Sequence, residues 1–330
     1  MTNKRIIRWG IMGTGRIARD FATGLSDTPD ALLAAVGSRT QASAQAFADE
    51  FKVPLAYGSY EELAASPDID IIYIATPHPM HAENTMLALH GGKAVLCEKP
   101  FALNRLEADE MVALARAKGL FMMEAMWTRF MPALAEVKRI IASGEIGAVT
   151  QVQADFGFSA TLDPEHRVNN LALGGGALLD LGIYPLSIAC AILGPAESVQ
   201  AQAIMGATGV DLTTAFTMKH AGDTLSVCSC SLRARSASEL TVSGTRGSVR
   251  MERMFHMSER VTVDLESGPS RTVATPWLGN GYTHEAIEAG RSLREGLLEH
   301  PAMALDETLA LMGVLDTIRA QIGLRYPFET

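Results

Sequence analysis

The spacing of apolar residues divides the chain into two parts. Up to residue 124, short apolar runs alternate with amphipathic stretches of helical period. This alternation predicts a parallel sheet with right-handed crossovers, so residues 1–124 are expected to form an α/β domain. Strands are predicted before Gly13 and at 31–36, 69–75, 93–97 and 120–123, and helices at 17–25, 42–51, 60–66, 80–89 and 105–117.

The pattern changes after residue 124. One amphipathic helix is predicted at 132–143, and two more lie between 282 and 319. Between them, alternating apolar and polar residues joined by short turns favour a large, mostly antiparallel sheet. Residues 125–330 are therefore expected to form a second, α+β domain. Its strands are predicted at 149–156, 213–218, 225–232, 239–242, 248–251 and 261–265.

A wide antiparallel sheet usually carries helices on one face only. The opposite face then needs another cover if it is partly apolar. We expect the chain to form a homo-oligomer, a dimer or a tetramer, through the open face of the second sheet.

Composition restricts the classes of partner. The 330 residues carry a formal net charge of −9, and the sequence pI is near 5.4. Lysine and arginine do not cluster, so nucleic acid is not expected as a ligand. The amino terminus leads directly into the first strand, and no apolar run looks long enough to span a bilayer. We expect a cytoplasmic protein without a membrane partner, whose four cysteines are reduced and mostly buried.

A glycine-rich turn follows the first strand and leads into the first predicted helix. Its glycines allow a tight turn and a close approach of the backbone to a pyrophosphate, which the N–H groups at the helix start then face. The turn predicts a dinucleotide-binding Rossmann domain. The residues expected near the cofactor here are Gly13, Thr14, Gly15, Arg16 and Ile17.

The second predicted strand ends in Ser38 and Arg39. In a dinucleotide fold this position often offers an acidic residue to the adenosine ribose, and no acid is present here. A hydroxyl and a guanidinium suit a 2′-phosphate instead, because arginine offers planar, charge-assisted donors to phosphate oxygens. We therefore predict NADP as cofactor, with NAD as the alternative if Arg39 is only a solvated residue.

Two further turns lie at carboxyl ends of predicted strands, which is the edge where such sheets bind ligands. The pair His78 and His81, with Glu83 nearby, suggests zinc, but no third ligand is evident, so no metal is expected. A proline-rich connector without ligand contacts is an alternative for the first turn. The residues expected to line the cofactor cleft are Thr76, Pro77, His78, His81, Glu98 and Lys99.

A polar pair interrupts an otherwise apolar helix that opens with three glycines, 174–176. Asp180 and Tyr184 are four residues apart and would lie on one helical face. A structural hydrogen bond between carboxylate and phenol is one interpretation. Because Lys99 is available to complete a site, we favour catalysis, with Lys99, Tyr184 and Asp180 as the catalytic residues.

Together these motifs resemble the glucose-fructose oxidoreductase, inositol dehydrogenase and rhizopine-catabolism (Gfo/Idh/MocA) family of NAD(P)-dependent oxidoreductases, over essentially the whole chain. The segment 124–130 is similar to the branch of dihydrodiol dehydrogenase and NADP-dependent D-xylose dehydrogenase. That branch carries tyrosine at the position of Tyr184. The resemblance implies that Lys99 and Tyr184 are catalytic and supported by Asp180, and that the Lys99–Pro100 peptide is cis. It also places Trp127 and Arg129 near the nicotinamide, although core packing equally explains Trp127.

Oxidation of a secondary alcohol requires a base for the hydroxyl proton while a hydride leaves carbon. Tyr184 is the candidate base, because a nearby lysine ammonium would favour its phenolate. The alternative makes Lys99 the proton-transfer group and Tyr184 a hydrogen-bond donor.

Three functions remain open on the sequence. The first is an NADP-dependent dehydrogenase of an aldose, a deoxy or anhydro sugar, or a cyclic trans-diol. The second keeps its cofactor tightly bound and moves hydride between two sugars. The third is a catalytically silent NADP-binding sensor.

Overall fold

The computed structural model describes residues 5–161, 163–327 and 329. By its contacts the chain divides into two compact units. The first unit runs up to Trp127 and includes Leu278–Leu309. The second contains Thr128–Trp277 and the residues from Ala310 onward.

The first unit is built on a parallel sheet with the strand order β3-β2-β1-β4-β5-β6. Every pairing in it is parallel, as the alternation of strands and helices predicts. The strands are β1 (Ile7–Met12), β2 (Ala31–Gly37), β3 (Leu55–Tyr57), β4 (Ile71–Ile74), β5 (Ala94–Glu98) and β6 (Met122–Ala125).

Helices connect these strands, and their starts follow from local capping. The side chains of Thr40, Ser59 and Asn104 each accept a backbone N–H from the first turn of the helix that follows. Such caps satisfy donors that have no partner inside the helix. The helices are α1 (Arg16–Ser26), α2 (Gln41–Phe51), α3 (Tyr60–Ala65), α4 (His81–His90), α5 (Arg105–Lys118) and α8 (Tyr282–Glu295).

Aromatic side chains fill the core between the sheet and α1. Phe21 of α1 stacks on Tyr73 of β4 at a ring distance of 3.7 Å, and Trp9 of β1 lies 5.4 Å from Phe21. All three side chains are fully buried. This packing fixes α1, and with it the turn that precedes α1, against the sheet.

The second unit is built on a sheet with the order β14-β13-β12-β11-β7-β10-β9-β8. Its pairings are antiparallel except for β7 with β10, which is parallel. The strands are β7 (Val149–Gly157), β8 (Ala196–Met205), β9 (Asp211–His220), β10 (Thr224–Ser231), β11 (Leu240–Gly244), β12 (Gly247–Met251), β13 (Arg260–Leu265) and β14 (Arg271–Ala274).

Two helices cover one face of this sheet. α6 (Pro132–Ala142) packs against β12 and β13, and α7 (Ile183–Leu193) packs against β7 and β10. On the other face of the second unit, Leu225 and Val227 of β10 remain 41% and 36% exposed. The last helix, α9 (Leu305–Ile322), has residues in both units.

The structure contains three strands that the hydrophobic pattern does not reveal. β3 and β14 are short, and β8 combines small and polar residues whose alternation is weak. Because hydrophobic periodicity is the main signal for a strand, such segments are hard to predict.

The compact units differ from the predicted division at residue 124 in one respect. Residues Leu278–Leu309 pack with the first unit. Hydrogen bonds to backbone carbonyls hold this segment: the Thr283 hydroxyl donates to the Gly24 carbonyl at 2.9 Å, and the Met122 N–H donates to the Leu298 carbonyl at 3.0 Å.

One stretch of the described residues, Leu171–Leu193, is long and apolar enough to cross a membrane by length and composition. Its mean hydropathy is 1.8, so the sequence-based statement that no run reaches this length is wrong. Of this apolar window, 83% is buried inside the structure. That burial is typical of a core helix, and α7 forms the end of the stretch.

Candidate active site

The strand order of the first unit brings the predicted cofactor residues to one edge. β1 lies between β2 and β4, so the chain connections diverge on either side of β1. In open α/β sheets, ligands bind at the carboxyl ends of the strands beside such a switch point. The predicted residues follow β1 (13–17), β2 (38 and 39), β4 (76–78) and β5 (99).

Gly13 and Gly15 shape the turn after β1 in different ways. Gly13 has φ +112°, and a Cβ there would lie 2.8 Å from the Ala75 carbonyl oxygen, so a side chain is excluded. Gly15 is the N-cap of α1, makes no side-chain cap, and would place a Cβ in open space. The first N–H groups of α1 are thus accessible over a bare backbone, which fits a pyrophosphate.

The residues after β2 lie beside this turn. The Ser38 hydroxyl is buried and lies 3.5 Å from the Thr14 hydroxyl. The Arg39 side chain is exposed and lines a groove of about 570 Å³ together with Tyr60 and Met80. Burial raises the pKa of the Tyr60 hydroxyl although Arg39 opposes this, so Tyr60 is a neutral phenol at pH 7.

Tyr60 was not among the predicted site residues. It follows the Ser59 cap as the first residue of α3, and nothing in the local sequence places it opposite Arg39. The same groove is also lined by Gly58, Ser59, Glu61, Glu83, Asn84, Met86, Leu87 and His90.

His81 connects two of the predicted turns. Its fully buried ring has Nδ1 at 2.8 Å from the Pro100 carbonyl and Nε2 at 2.9 Å from the Thr76 carbonyl. Burial and the charge of Lys99 lower the pKa of this imidazole, so it carries one N–H and donates to one of the two carbonyls. The ring nitrogens of His81 are therefore used within the protein, and His81 acts as a brace between the turns.

Lys99 directly follows the last residue of β5 and is half-buried. Its backbone N–H donates to Glu98 Oε2 at 3.1 Å, and the Tyr73 hydroxyl donates to Glu98 Oε1. The Lys99–Pro100 peptide is cis, as the resemblance implies. The Glu98 carboxylate thus anchors the backbone of Lys99 to β4.

A second carboxyl group lies close to Glu98. Glu285 of α8 is fully buried, and neither of its carboxyl oxygens has a hydrogen-bond partner among the described residues. Burial, followed by the charge of Glu98, raises the pKa of Glu285 well above its usual value. Glu285 is therefore the neutral acid beside Glu98.

Sequence reasoning missed Glu285. It lies in a helix with other charged residues, and only the tertiary structure shows that α8 turns this residue toward Glu98. On the same helix, Tyr282 stacks on Trp127 at a ring distance of 4.7 Å. This stack holds Trp127, which is 5% exposed, at the end of the first unit.

In the second unit, Asp180 and Tyr184 lie at the start of a buried helix. Residues Leu178–Gly182 form a π-helical turn that continues into α7. Asp180 accepts two hydrogen bonds from the Arg167 guanidinium, at 3.1 and 3.2 Å. The Asp180 side chain is 6% exposed, so Arg167 neutralises a nearly buried carboxylate.

Aromatic rings surround Tyr184. Phe156 of β7 lies perpendicular to it at 5.4 Å, and His256 lies 5.5 Å away. Phe156 and His256 stack on each other at 4.4 Å. His256 follows an irregular segment in which Met254 has φ 61°, and no motif marks it in the sequence.

Arg129 is also buried in the second unit. Its Nε donates to the hydroxyl of Ser187 on α7 at 2.8 Å. Ser187 lies three residues after Tyr184, so Arg129 is tied to the helix that carries Tyr184. Within the described part of the chain, no group of three or more histidine, cysteine or acidic residues could hold a metal ion.

Two protein-family models match the chain. The model described as an oxidoreductase family with an NAD-binding Rossmann fold matches residues 7–126. The model of the GFO/IDH/MocA C-terminal domain matches residues 134–250.

Curated relatives match along nearly the whole chain. Trans-1,2-dihydrobenzene-1,2-diol dehydrogenase of Mus musculus is 38% identical over 333 residues, which covers 97% of this chain and 98% of the relative. The enzyme of the same name from Homo sapiens is 36% identical over 330 residues, with the same coverage of both chains.

Solved structures share the fold. A 3-ketoreductase from Actinomadura kijaniata, crystallised with NADP and TDP-benzene, has a TM-score of 0.85 at 25% identity and covers 96% of this chain and 98% of its own. The aldose-aldose oxidoreductase from Caulobacter crescentus has a TM-score of 0.87 at 25% identity, covering 96% and 97%. A levoglucosan dehydrogenase in complex with NADH and levoglucosan reaches 0.88 at 20% identity with the same coverage, which shows the fold alone.

The raised pKa of Glu285 predicts how the free energy of unfolding depends on pH. An unfolded glutamate ionises near pH 4.3, whereas folded Glu285 keeps its proton to a higher pH, so the free energy of unfolding falls as pH rises above about 4.3. Glu285→Gln carries no such proton. We expect its free energy of unfolding to be close to that of the parent near pH 4 and to exceed it increasingly as pH rises until folded Glu285 ionises, with a limiting slope of about 1.4 kcal/mol per pH unit.

Glu295→Gln changes an exposed residue of the same helix and serves as the control. Thermal unfolding followed by circular dichroism between pH 4 and pH 9 makes the comparison. Parallel curves for the parent and Glu285→Gln would show that Glu285 is ionised in the folded protein.

Proposed function

Because this chain belongs to the GFO/IDH/MocA family of oxidoreductases, we propose that it is an NADP-dependent dehydrogenase of a sugar or a cyclic trans-diol. The reaction moves a hydride between the nicotinamide and a secondary alcohol or carbonyl carbon. The observation that carries this proposal is the position of Lys99, directly after β5 at the edge that also holds the glycine turn and Arg39.

Proton transfer is assigned to the protein's own side chains. In the oxidative direction, Tyr184 takes the substrate hydroxyl proton as general base, and Lys99 stabilises the negative charge that develops on that oxygen. The bound nicotinamide would accept the hydride from carbon. Asp180, held by Arg167, supports Tyr184 from the same helix. In the alternative assignment, Lys99 transfers the proton and Tyr184 is only a hydrogen-bond donor.

Two observations support the substrate class. The relatives at 36–38% identity are named for a trans-diol of a six-membered ring. Tyr184 is flanked by the flat rings of Phe156 and His256, which would stack on a cyclic substrate. A cyclic diol or a pyranose sugar therefore fits the proposal best.

The choice of NADP is argued from Ser38 and Arg39. β2 ends in a hydroxyl and an exposed guanidinium instead of a carboxylate, and Arg39 lines a groove with the neutral phenol of Tyr60. A 2′-phosphate would gain charge-assisted hydrogen bonds there, whereas a 2′-hydroxyl would gain little.

A second candidate function keeps the cofactor bound through turnover. It is favoured by the similarity to the aldose-aldose oxidoreductase of Caulobacter crescentus, at 25% identity. Such an enzyme would reduce one sugar with the hydride taken from another. Cofactor that remains with the protein through gel filtration would favour this candidate.

We also propose that the protein is a cytoplasmic homo-oligomer, and the open face of the second sheet supports the oligomer. The exposed side chains of Leu225 and Val227 project from β10 on this face, opposite the buried Cys228 and Cys230. A second copy would remove these apolar groups from water.

The first prediction concerns turnover. With NADP and a panel of pentoses, hexoses, anhydro sugars and trans-cyclohexanediol-type diols, we expect NADPH formation for at least one substrate class. Lys99→Ala and Tyr184→Phe should each lower kcat by about 10²–10⁴-fold, because each removes a group that acts on the transferred proton. Absorbance of NADPH measures the rate.

Melting temperatures of both variants control for folding. Near-full turnover of Tyr184→Phe would assign proton transfer to Lys99. Binding of NADP without turnover of any substrate would contradict the dehydrogenase and favour a cofactor-binding sensor.

The second prediction concerns cofactor choice. Arg39→Ala should raise the Kd for NADP by about 10-fold or more and leave the Kd for NAD nearly unchanged, because only the 2′-phosphate loses a partner. Calorimetric titration measures both constants. Lys118→Ala, at the exposed end of α5, is the control for the loss of one surface charge away from the cofactor edge. Equal constants for the two cofactors in the parent would refute the assignment.

The third prediction concerns assembly. Val227→Glu places a charge on the open face and should shift the protein from an oligomer toward a monomer. Because Val227 is exposed, the free energy of unfolding should fall by no more than about 1 kcal/mol. Analytical ultracentrifugation measures the mass. A parent protein that is monomeric at micromolar concentration would rule out this part of the proposal.

A further inference from the structure

The second unit buries a carboxyl group that the proposed reaction does not use. Asp211 is the first residue of β9, and its side chain is fully buried. Its Oδ2 accepts a hydrogen bond from the backbone N–H of Leu178 at 2.8 Å and another from the Thr214 hydroxyl at 2.6 Å. A strand residue thus caps the beginning of the helix that carries Asp180 and Tyr184.

The cap acts on the first turn of this helix. The continuous helical stretch that runs through the π-helical turn into α7 begins at Ala177, which makes no side-chain cap, and Leu178 is its second residue. The first N–H groups of a helix have no partner within it, and they carry the positive end of its dipole. A carboxylate that accepts from Leu178 therefore holds the helix at the turn next to Asp180.

The three glycines before the helix are shaped around this carboxyl group. Gly176 has φ +126°, and a Cβ there would collide with Asp211 Oδ1. The Tyr326 hydroxyl donates to the Gly175 carbonyl at 2.9 Å, which holds the same turn from the other side. The glycine turn, Asp211 and Tyr326 together fix where the helix begins.

The groups around Asp211 leave its charge state near balance at pH 7. Burial raises the pKa of the Asp211 carboxyl to about 7, although the Thr214 hydroxyl and the Leu178 N–H oppose this. The facing titratable groups are the Cys230 thiol of β10 and the Tyr326 phenol, and burial keeps both neutral by raising their pKa values. On the helix itself, Asp180 is paired with Arg167.

We propose that Asp211 is a positioning residue for the reaction: it fixes the first turn of the catalytic helix and thereby the location of the Tyr184 hydroxyl. This inference rests on the proposed function, because it requires Tyr184 to act in catalysis. Asp211 itself acts only through the helix.

The role predicts a separation of kcat from cofactor binding. Asp211→Asn keeps the size of the side chain but cannot take up the negative charge. We expect kcat to fall about 10-fold or more, because small displacements of a catalytic group cost large factors in rate. The Kd for NADP should stay within about twofold, since the predicted NADP residues at 13–17, 38 and 39 lie in the first unit.

The charge adds a pH signature. As Asp211 ionises through about pH 7, the parent gains the stronger, charged cap and the asparagine variant does not. The ratio of the parent kcat to the variant kcat should therefore rise between about pH 6 and about pH 8. A purely structural loss would change this ratio little.

Hydrogen exchange tests the clamp without any substrate. We expect the backbone amides of 177–184 to exchange faster in Asp211→Asn than in the parent. The matched control is Asp155→Asn, whose carboxylate also accepts backbone N–H groups, from Ser238 at 2.8 Å and Glu239 at 3.4 Å, but contacts no helix start. The control should leave exchange at 177–184 unchanged.

The outcomes separate this inference from the proposed function. Unchanged exchange at 177–184 in Asp211→Asn overturns the inference even if the enzyme is active, and so does a kcat equal to that of the parent. Full turnover of Tyr184→Phe refutes the role of Tyr184 and leaves the exchange result to be judged by itself. If Asp211→Asn does not fold, Tyr326→Phe releases the same turn through Gly175 and must accelerate the same amides, or the inference fails.

Discussion

Parallel pairing of β1 with β2 on one side and β4 on the other is the constraint on which the candidate site depends. It places the carboxyl ends of these strands at one edge of the sheet. The turns that follow the strands there form the predicted cofactor site. The contact of Gly13 with the Ala75 carbonyl shows how tightly the turns of β1 and β4 approach each other. Because that approach leaves no room for a side chain at residue 13, the backbone of the turn is bare there, and the side chains at this edge come from the ends of the neighbouring strands.

Both units bury carboxyl groups near a proposed catalytic residue, and they compensate the buried charge in different ways. In the first unit, Glu98 accepts from the Lys99 N–H and the Tyr73 hydroxyl, while Glu285 remains neutral beside it. In the second, Asp180 is neutralised by Arg167. Each arrangement limits the cost of a buried charge: hydrogen-bond donors surround it, the carboxyl group keeps its proton, or an ion pair forms. The buried carboxyl groups therefore hold the segments that carry Lys99 and Tyr184 in place.

Much of the fold and part of the site follow from the sequence. The parallel sheet, the glycine turn and the lysine after β5 are encoded in local patterns, which survive folding because they depend on neighbours along the chain. Glu285, Tyr60 and His256 could not be found in this way. Each is an ordinary residue in its own segment, and its importance comes from a contact with a segment distant in sequence. β8 was not predicted because its own hydrophobic pattern is weak, and its pairing with β9 is seen only in the folded structure.

The return of Leu278–Leu309 to the first unit has a consequence for the order in which the chain assembles. During synthesis, residues up to 127 leave the ribosome long before α8 is made. Until then, the backbone of Gly24 and Met122 lacks its hydrogen-bond partners in the segment Leu278–Leu309. The eight strands of the second sheet, β7 to β14, are all synthesised before α8, although the second unit also includes the residues from Ala310 onward. The first unit is therefore completed only after α8 has been synthesised, and a fragment cut after Trp127 would lack a segment that packs against it.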